Sequence, residues 1–434
     1  MVRITVYFML CLLLFSCGEK HYQQEFESSD ISNFWNAYDQ IQQTSDTIRQ
    51  KQLLQQLYLD KASSGLRDLI AVRNYTEQEF FTAMTAYPKF WASIRQHTLT
   101  TERYHDDIAV AVQKLKNAYP DLSPAKIYFT VGAFRTNGTI NGKNILIGSE
   151  LALADETTDV SELPEWRQPF YKQYKPLDNL ALLCTHEYVH TQQKELVTNL
   201  LSMCLYEGIA EFVSCEVTEQ PSTVPAIEFG KTNEKKVVEK FVDDLHLMSN
   251  NYNWLWGENE NELEVRDLGY YIGYEIAERY YRQATDKKQA IKELIELDYT
   301  DETAVERIVD ASGLLPDTIK NLYAAYESKR PYVSKILEFE NGATDVDPNT
   351  QTLTVVFSEP LNGIHTGLDY GPLGEEFYPK VDNATRTWAE DNESYSFQVQ
   401  LAPGKKYQLA IGSNFRLSNG IRLKPYVIEF ETKK

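Results

Sequence analysis

The chain has 434 residues, 42% hydrophobic and 12% aromatic, enough for two to three domains and at least one large core. A formal net charge of −20 excludes the basic footprint that a nucleic-acid partner or a polybasic membrane patch requires. Past the N-terminal segment only Cys184, Cys204 and Cys215 remain, an odd and sparse set that implies no disulfide framework.

Arg3 precedes an apolar run from Ile4 to Phe15, too short to span a bilayer and suited to the core of a signal peptide. The run ends Leu14-Phe15-Ser16-Cys17-Gly18, which resembles a bacterial lipobox. That resemblance implies a signal peptide over residues 1–17, lipidation of Cys17, and export to the periplasmic or outer face of a bacterial membrane. Residues 18–30 then read as a polar tether between lipid and fold. No later apolar run is long enough to cross a membrane.

From about residue 31 to Tyr119 the apolar spacing is helical. Ser29 or Asp30 can cap a first helix carrying Phe34, Trp35, Tyr38 and Ile41. Thr76 with Glu79 three residues on is a capping box ahead of Phe80, Phe81 and Met84. Ile108, Ala111, Val112 and Leu115 mark a further helix, which Pro120 ends. The period then changes: Lys126–Val131 and Asn144–Ile147 read as strands, with turn chemistry at Asn137-Gly138-Thr139 and Asn141-Gly142 between them.

Helical signals resume at Leu177 and carry the most informative stretch, His186-Glu187-Tyr188-Val189-His190. Two imidazoles four residues apart share one helical face and can hold one metal ion. A glutamate beside the first is placed to take a proton from a metal-activated water. The pattern needs a third ligand, and Leu205-Tyr206-Glu207-Gly208-Ile209-Ala210-Glu211 offers two carboxylates on one face. Either Glu207 is the ligand and Glu211 a support for a ligand histidine, or the two exchange roles. Glu195 is out of phase with both histidines and reads as a solvated charge, and His97, His105, His246 and His365 read as structural.

HEYVH followed by Glu207-Gly208-Ile209-Ala210 resembles the gluzincin branch of zinc metallopeptidases, whose aminopeptidase-type members carry Gly-x-Ala after the ligand glutamate. Tyr206 stands where those enzymes commonly have Asn. The resemblance implies Zn2+ held by His186, His190 and Glu207, with Glu187 as general base and a peptide or protein substrate. Asp267-Leu268-Gly269-Tyr270-Tyr271-Ile272-Gly273 resembles the Gly-Tyr-x-x-Gly stretch of predicted zinc-dependent proteases, many of them exported lipoproteins. It nominates Tyr270, then Tyr271, as oxyanion donor; the same pattern also suits a core helix whose glycines permit close approach.

Lys329-Arg330-Pro331 suggests a boundary, after which short alternating strands are separated by Asp347-Pro348-Asn349, Pro403-Gly404 and Asn419-Gly420. Val356-Phe357-Ser358-Glu359-Pro360 and Leu401-Ala402-Pro403-Gly404-Lys405-Lys406-Tyr407 resemble the bacterial Ig-like domain of exported proteins. The expected fold is α+β: a mainly helical zincin-like domain with a small sheet over 31–330, then an all-β sandwich over 331–434. The expected activity is peptide-bond hydrolysis. The rival is a lipoprotein that binds or adheres on a metallopeptidase scaffold without catalysis, and a hydrolase acting on non-peptide amides is a third reading.

Overall fold

The computed structural model describes residues 24–247, 251–256 and 263–434, so Cys17 and its signal sequence lie outside the described residues. The chain is α+β and forms two compact units. The first comprises the described residues up to Thr198, with Ser202–Thr232 and Val265–Val305. The second comprises Asn199–Leu201, Asn233–Glu264 and Glu306–Lys434.

In the first unit, helices surround one four-stranded sheet. Its strands are β1 (Glu25–Glu27), β2 (Lys126–Thr130), β3 (Gly138–Asn141) and β4 (Asn144–Gly148), in the order β1-β2-β4-β3. β2 runs parallel to β1 and β4, while β3 returns antiparallel to β4 and forms one edge. β2 and β4 fall where the sequence reads as strands. Residues 25–27, inside the stretch read as a tether, instead pair with β2, and Asn137-Gly138-Thr139 leads into a strand rather than a turn. The true turn is Gly142-Lys143, two residues with Gly142 at φ +57°, which suits the first central position of a tight hairpin.

The helical start signals have mixed outcomes. Thr76 and Glu79 form the reciprocal capping box. Asp30 does not cap the first helix, Ser29–Ile41; it is buried and accepts hydrogen bonds from the Ser63 N–H and hydroxyl at 2.9 and 2.5 Å. Among the described residues no helix is long and apolar enough to cross a membrane.

The second unit contains two antiparallel sheets, β5-β6-β9-β8 and β11-β10-β7, built from β5 (Val333–Ile336), β6 (Thr352–Phe357), β7 (Leu368–Tyr370), β8 (Lys380–Trp388), β9 (Ser394–Gln400), β10 (Lys406–Ile411) and β11 (Tyr426–Glu431). Leu353, Val355, Phe397, Leu409, Ile428 and Phe430 bring both sheets into one apolar core. β8 has no apolar alternation, because its side chains are mostly exposed. His246 lies in this unit against Tyr323 and Tyr326.

Candidate metal centre

Residues of the first unit, carried on three helices, build the site. The motif helix, Leu180–His190, is apolar on almost every side and accordingly buried on almost every side. Tyr188 anchors it to the sheet: its hydroxyl accepts the Ala125 N–H at 2.8 Å, at the entry to β2. The second helix, Leu200–Thr218, carries Glu207 and Glu211, and the third, Leu268–Gln283, carries Tyr270.

His186, His190 and Glu207 converge, all three buried. The two imidazole Nε2 atoms are 3.0 Å apart, and Glu207 Oε2 is 3.5 Å from that of His186 and 3.4 Å from that of His190. Ligands about 2.0–2.1 Å from a tetrahedral zinc are separated by about 3.3 Å, so the spacing suits that ion.

The outer partners of the rings sharpen the fit. His186 Nδ1 faces Glu211 Oε2 at 2.9 Å, and a carboxylate can only accept, so Nδ1 carries the hydrogen. His190 Nδ1 faces Gln193 Oε1 at 2.7 Å. The Gln193 amide nitrogen donates to the Tyr206 carbonyl at 2.9 Å, which fixes which end of the amide meets the histidine. With both hydrogens on Nδ1, both Nε2 atoms present lone pairs to each other and to a carboxylate oxygen. Such a donor-free cluster is satisfied by a cation.

Glu211 is fully engaged elsewhere: its second oxygen accepts the Ser222 hydroxyl at 2.5 Å. The geometry therefore puts Glu207 against the two Nε2 atoms and Glu211 behind His186. Burial pushes the Glu207 pKa up, but the two imidazoles beside it, when protonated, outweigh that and hold the carboxylate well below its ordinary range.

Glu187 is buried and abuts the edge strand: a Cβ on Gly138 would lie 2.7 Å from Glu187 Oε1. Burial pushes the Glu187 pKa up, against the pull of His190 and His186. Tyr270 lies near His186, with ring centroids 6.4 Å apart and planes at 24°, whereas Tyr271 is fully buried and packs under Gly230. Glu195 is exposed and stands outside the cluster.

Sequence reasoning missed Gln193 and Tyr206. Tyr206 stacks on His190, centroids 4.4 Å apart and planes at 14°. Gln193 stands three residues past His190, a spacing that could have flagged it. Tyr206 had no such signal, since its contact depends on how the second helix is laid across the first.

No curated protein matches the chain. Two solved structures align over 94% of this chain and 45% of their own length, so the chain spans less than half of each. They are the S-layer protein rSbsC(31-844), at 12% identity and TM-score 0.18, and surface layer protein SbsC, domains 1-6, at 11% and 0.17. A family described as Predicted Zn-dependent protease (DUF2268) matches residues 170–301. That span holds His186, Glu187, His190, Glu207, Glu211 and Tyr270, and over it the chain is similar to a predicted zinc-dependent protease.

Proposed function

We propose that this protein is a zinc-dependent peptidase, with His186, His190 and Glu207 as ligands. The observation that carries the reading is the convergence of two Nε2 lone pairs and one carboxylate oxygen, each ring being held by a partner on Nδ1. The ion, when bound, supplies Lewis acidity toward a water and a substrate carbonyl. Glu187 takes the proton from the attacking water and delivers it to the leaving amine. Tyr270 donates a hydrogen bond to the oxyanion, and Glu211 and Gln193 keep the imidazoles in the ligating tautomer.

The substrate backbone lies along β3. The Gly148 N–H donates to the Asn137 carbonyl, so by antiparallel alternation residues 137, 139 and 141 bond to β4. Gly138 and Ile140 then turn their backbone groups to the open edge, where a chain can add as a further strand. Gly138 is occupied locally, by the Asn137 side chain on its N–H and the Thr136 hydroxyl on its carbonyl, which leaves Ile140 as the open rung.

We further propose that Cys17 is lipidated and tethers the enzyme to the bacterial envelope, the two-sheet C-terminal unit being an Ig-like module. Cys17→Ser should then move the protein from the membrane to the soluble fraction.

Purified protein should bind about one zinc per chain. Glu187→Gln should keep that zinc and lose cleavage of a peptide library, and His186→Ala should lose the zinc. Unchanged zinc content in His186→Ala overturns the ligand assignment. A zinc-loaded wild type that cleaves no peptide supports the binding-lipoprotein rival instead.

A further inference from the structure

Arg73 ends the helix Ser64–Arg73 beside the start of the edge strand. Its Nη2 donates to the Thr136 hydroxyl at 3.0 Å, and that hydroxyl donates to the Gly138 carbonyl at 2.6 Å. A guanidinium is thus tied, through one hydroxyl, to the glycine that touches Glu187. The group is half-buried, and its Nε–H is buried with no hydrogen-bond partner. Among the described residues no carboxylate forms an ion pair with it, although acidic residues outnumber basic ones 63 to 43.

A half-buried cation with a buried, unpaired N–H gains most from an anionic acceptor that completes it. The strand direction says where such an anion would lie. β3 runs from Gly138, at Glu187, away to Asn141, and Thr136 and Arg73 stand on the other side of Gly138. A chain added antiparallel to β3 at Ile140 places its N-terminal part along Ile140 and Asn141. Its C-terminal part, beyond the bond facing Glu187, passes Thr136 and Arg73.

We infer, resting on the peptidase reading above, that Arg73 recognises a carboxylate on the leaving-group side of the scissile bond. The carboxylate is either an Asp or Glu side chain or the C-terminus of the substrate itself. Arg73 is then a specificity-determining residue for acidic or carboxyl-terminal segments, and Thr136 aims it.

The test uses zinc-loaded full-length protein and peptides of one length. One set is neutral, one carries Glu one residue after the cleaved bond, and one carries Glu one residue before it. Each is made with a free and an amidated C-terminus, and mass spectrometry of the products fixes the cleaved bond. Affinity is read separately, by fluorescence anisotropy on Glu187→Gln protein, so that recognition is measured without turnover.

A carboxylate after the bond should raise both kcat/KM and affinity by about tenfold or more. Arg73→Ala should abolish the preference with zinc content and Tm retained, and Arg73→Lys should keep part of it. Loss of the preference on amidation assigns it to the C-terminus, and persistence assigns it to the side chain. Equal turnover of all sets, a preference confined to the N-terminal side, or a preference that survives Arg73→Ala overturns the inference while leaving the peptidase reading intact. Zinc-loaded protein that neither binds nor cleaves any peptide removes both.

Discussion

Gly208 and Gly273 meet backbone to backbone. A Cβ on Gly208 would lie 2.2 Å from the Gly273 carbonyl carbon, and one on Gly273 would lie 1.8 Å from the Cys204 carbonyl oxygen. Gly208 follows Glu207 and Gly273 is one turn from Tyr270, so this crossing sets the spacing between the carboxylate helix and the tyrosine helix. Gly273→Ala should force the helices apart at a cost of about 2–3 kcal/mol. Thermal denaturation should show a fall of roughly 5–10 °C, and equilibrium dialysis a weaker hold on zinc.

Gly138→Ala should act on turnover instead. The added methyl meets Glu187 Oε1 and Cγ, and also Leu183. A carboxylate displaced by about 1 Å costs on the order of a hundredfold in rate. Metal analysis should find zinc unchanged, with the loss confined to kcat. A variant that turns over normally shows that Glu187 has room to move aside.

The outer partners should tune affinity without abolishing it. Glu211→Gln and Gln193→Leu each remove or weaken the acceptor on a ligand ring, and each should weaken zinc binding by about 10–100-fold. Glu207→Ala should cost far more, because it removes a ligand atom. A competition titration against a zinc indicator separates the two classes. A smaller loss in Glu207→Ala than in Glu211→Gln would reverse the roles of these carboxylates.

Glu150 offers a stability measurement with a definite sign. It is fully buried and accepts the N–H groups of Gly132 and Phe134, both at 3.0 Å, which shapes the loop leading into β3. Burial outweighs those bonds and raises its pKa above the ordinary glutamate value. The folded state therefore holds the proton more tightly than the unfolded one. The associated stability is complete below the unfolded value and declines as pH rises through the folded value. Urea denaturation across this window should show wild type losing its advantage over Glu150→Gln as pH rises.

Much of the centre is legible in the chain because helical phase is short-range. His186, His190 and Glu187 are fixed by one turn, and Glu207 and Glu211 by the next helix. Which of those two meets the metal depends on the crossing at Gly208 and Gly273, which no local pattern encodes. Gly138 was hidden for another reason. Four residues are too few to display alternation, and Asn137-Gly138 carries turn chemistry that the hairpin at Gly142 overrides. β1, three residues long, and the exposed β8 escape for the same want of period.

The lone pairs that face each other at 3.0 Å have a consequence for loading. Burial disfavours charge on His186, but the Glu207 and Glu211 carboxylates outweigh it and lift its pKa well above the ordinary imidazole value. That shift favours a proton on His186 when no metal is bound. Metal uptake is then an exchange in which that proton leaves as the ion enters. Acidification would drive that exchange backward and empty the site.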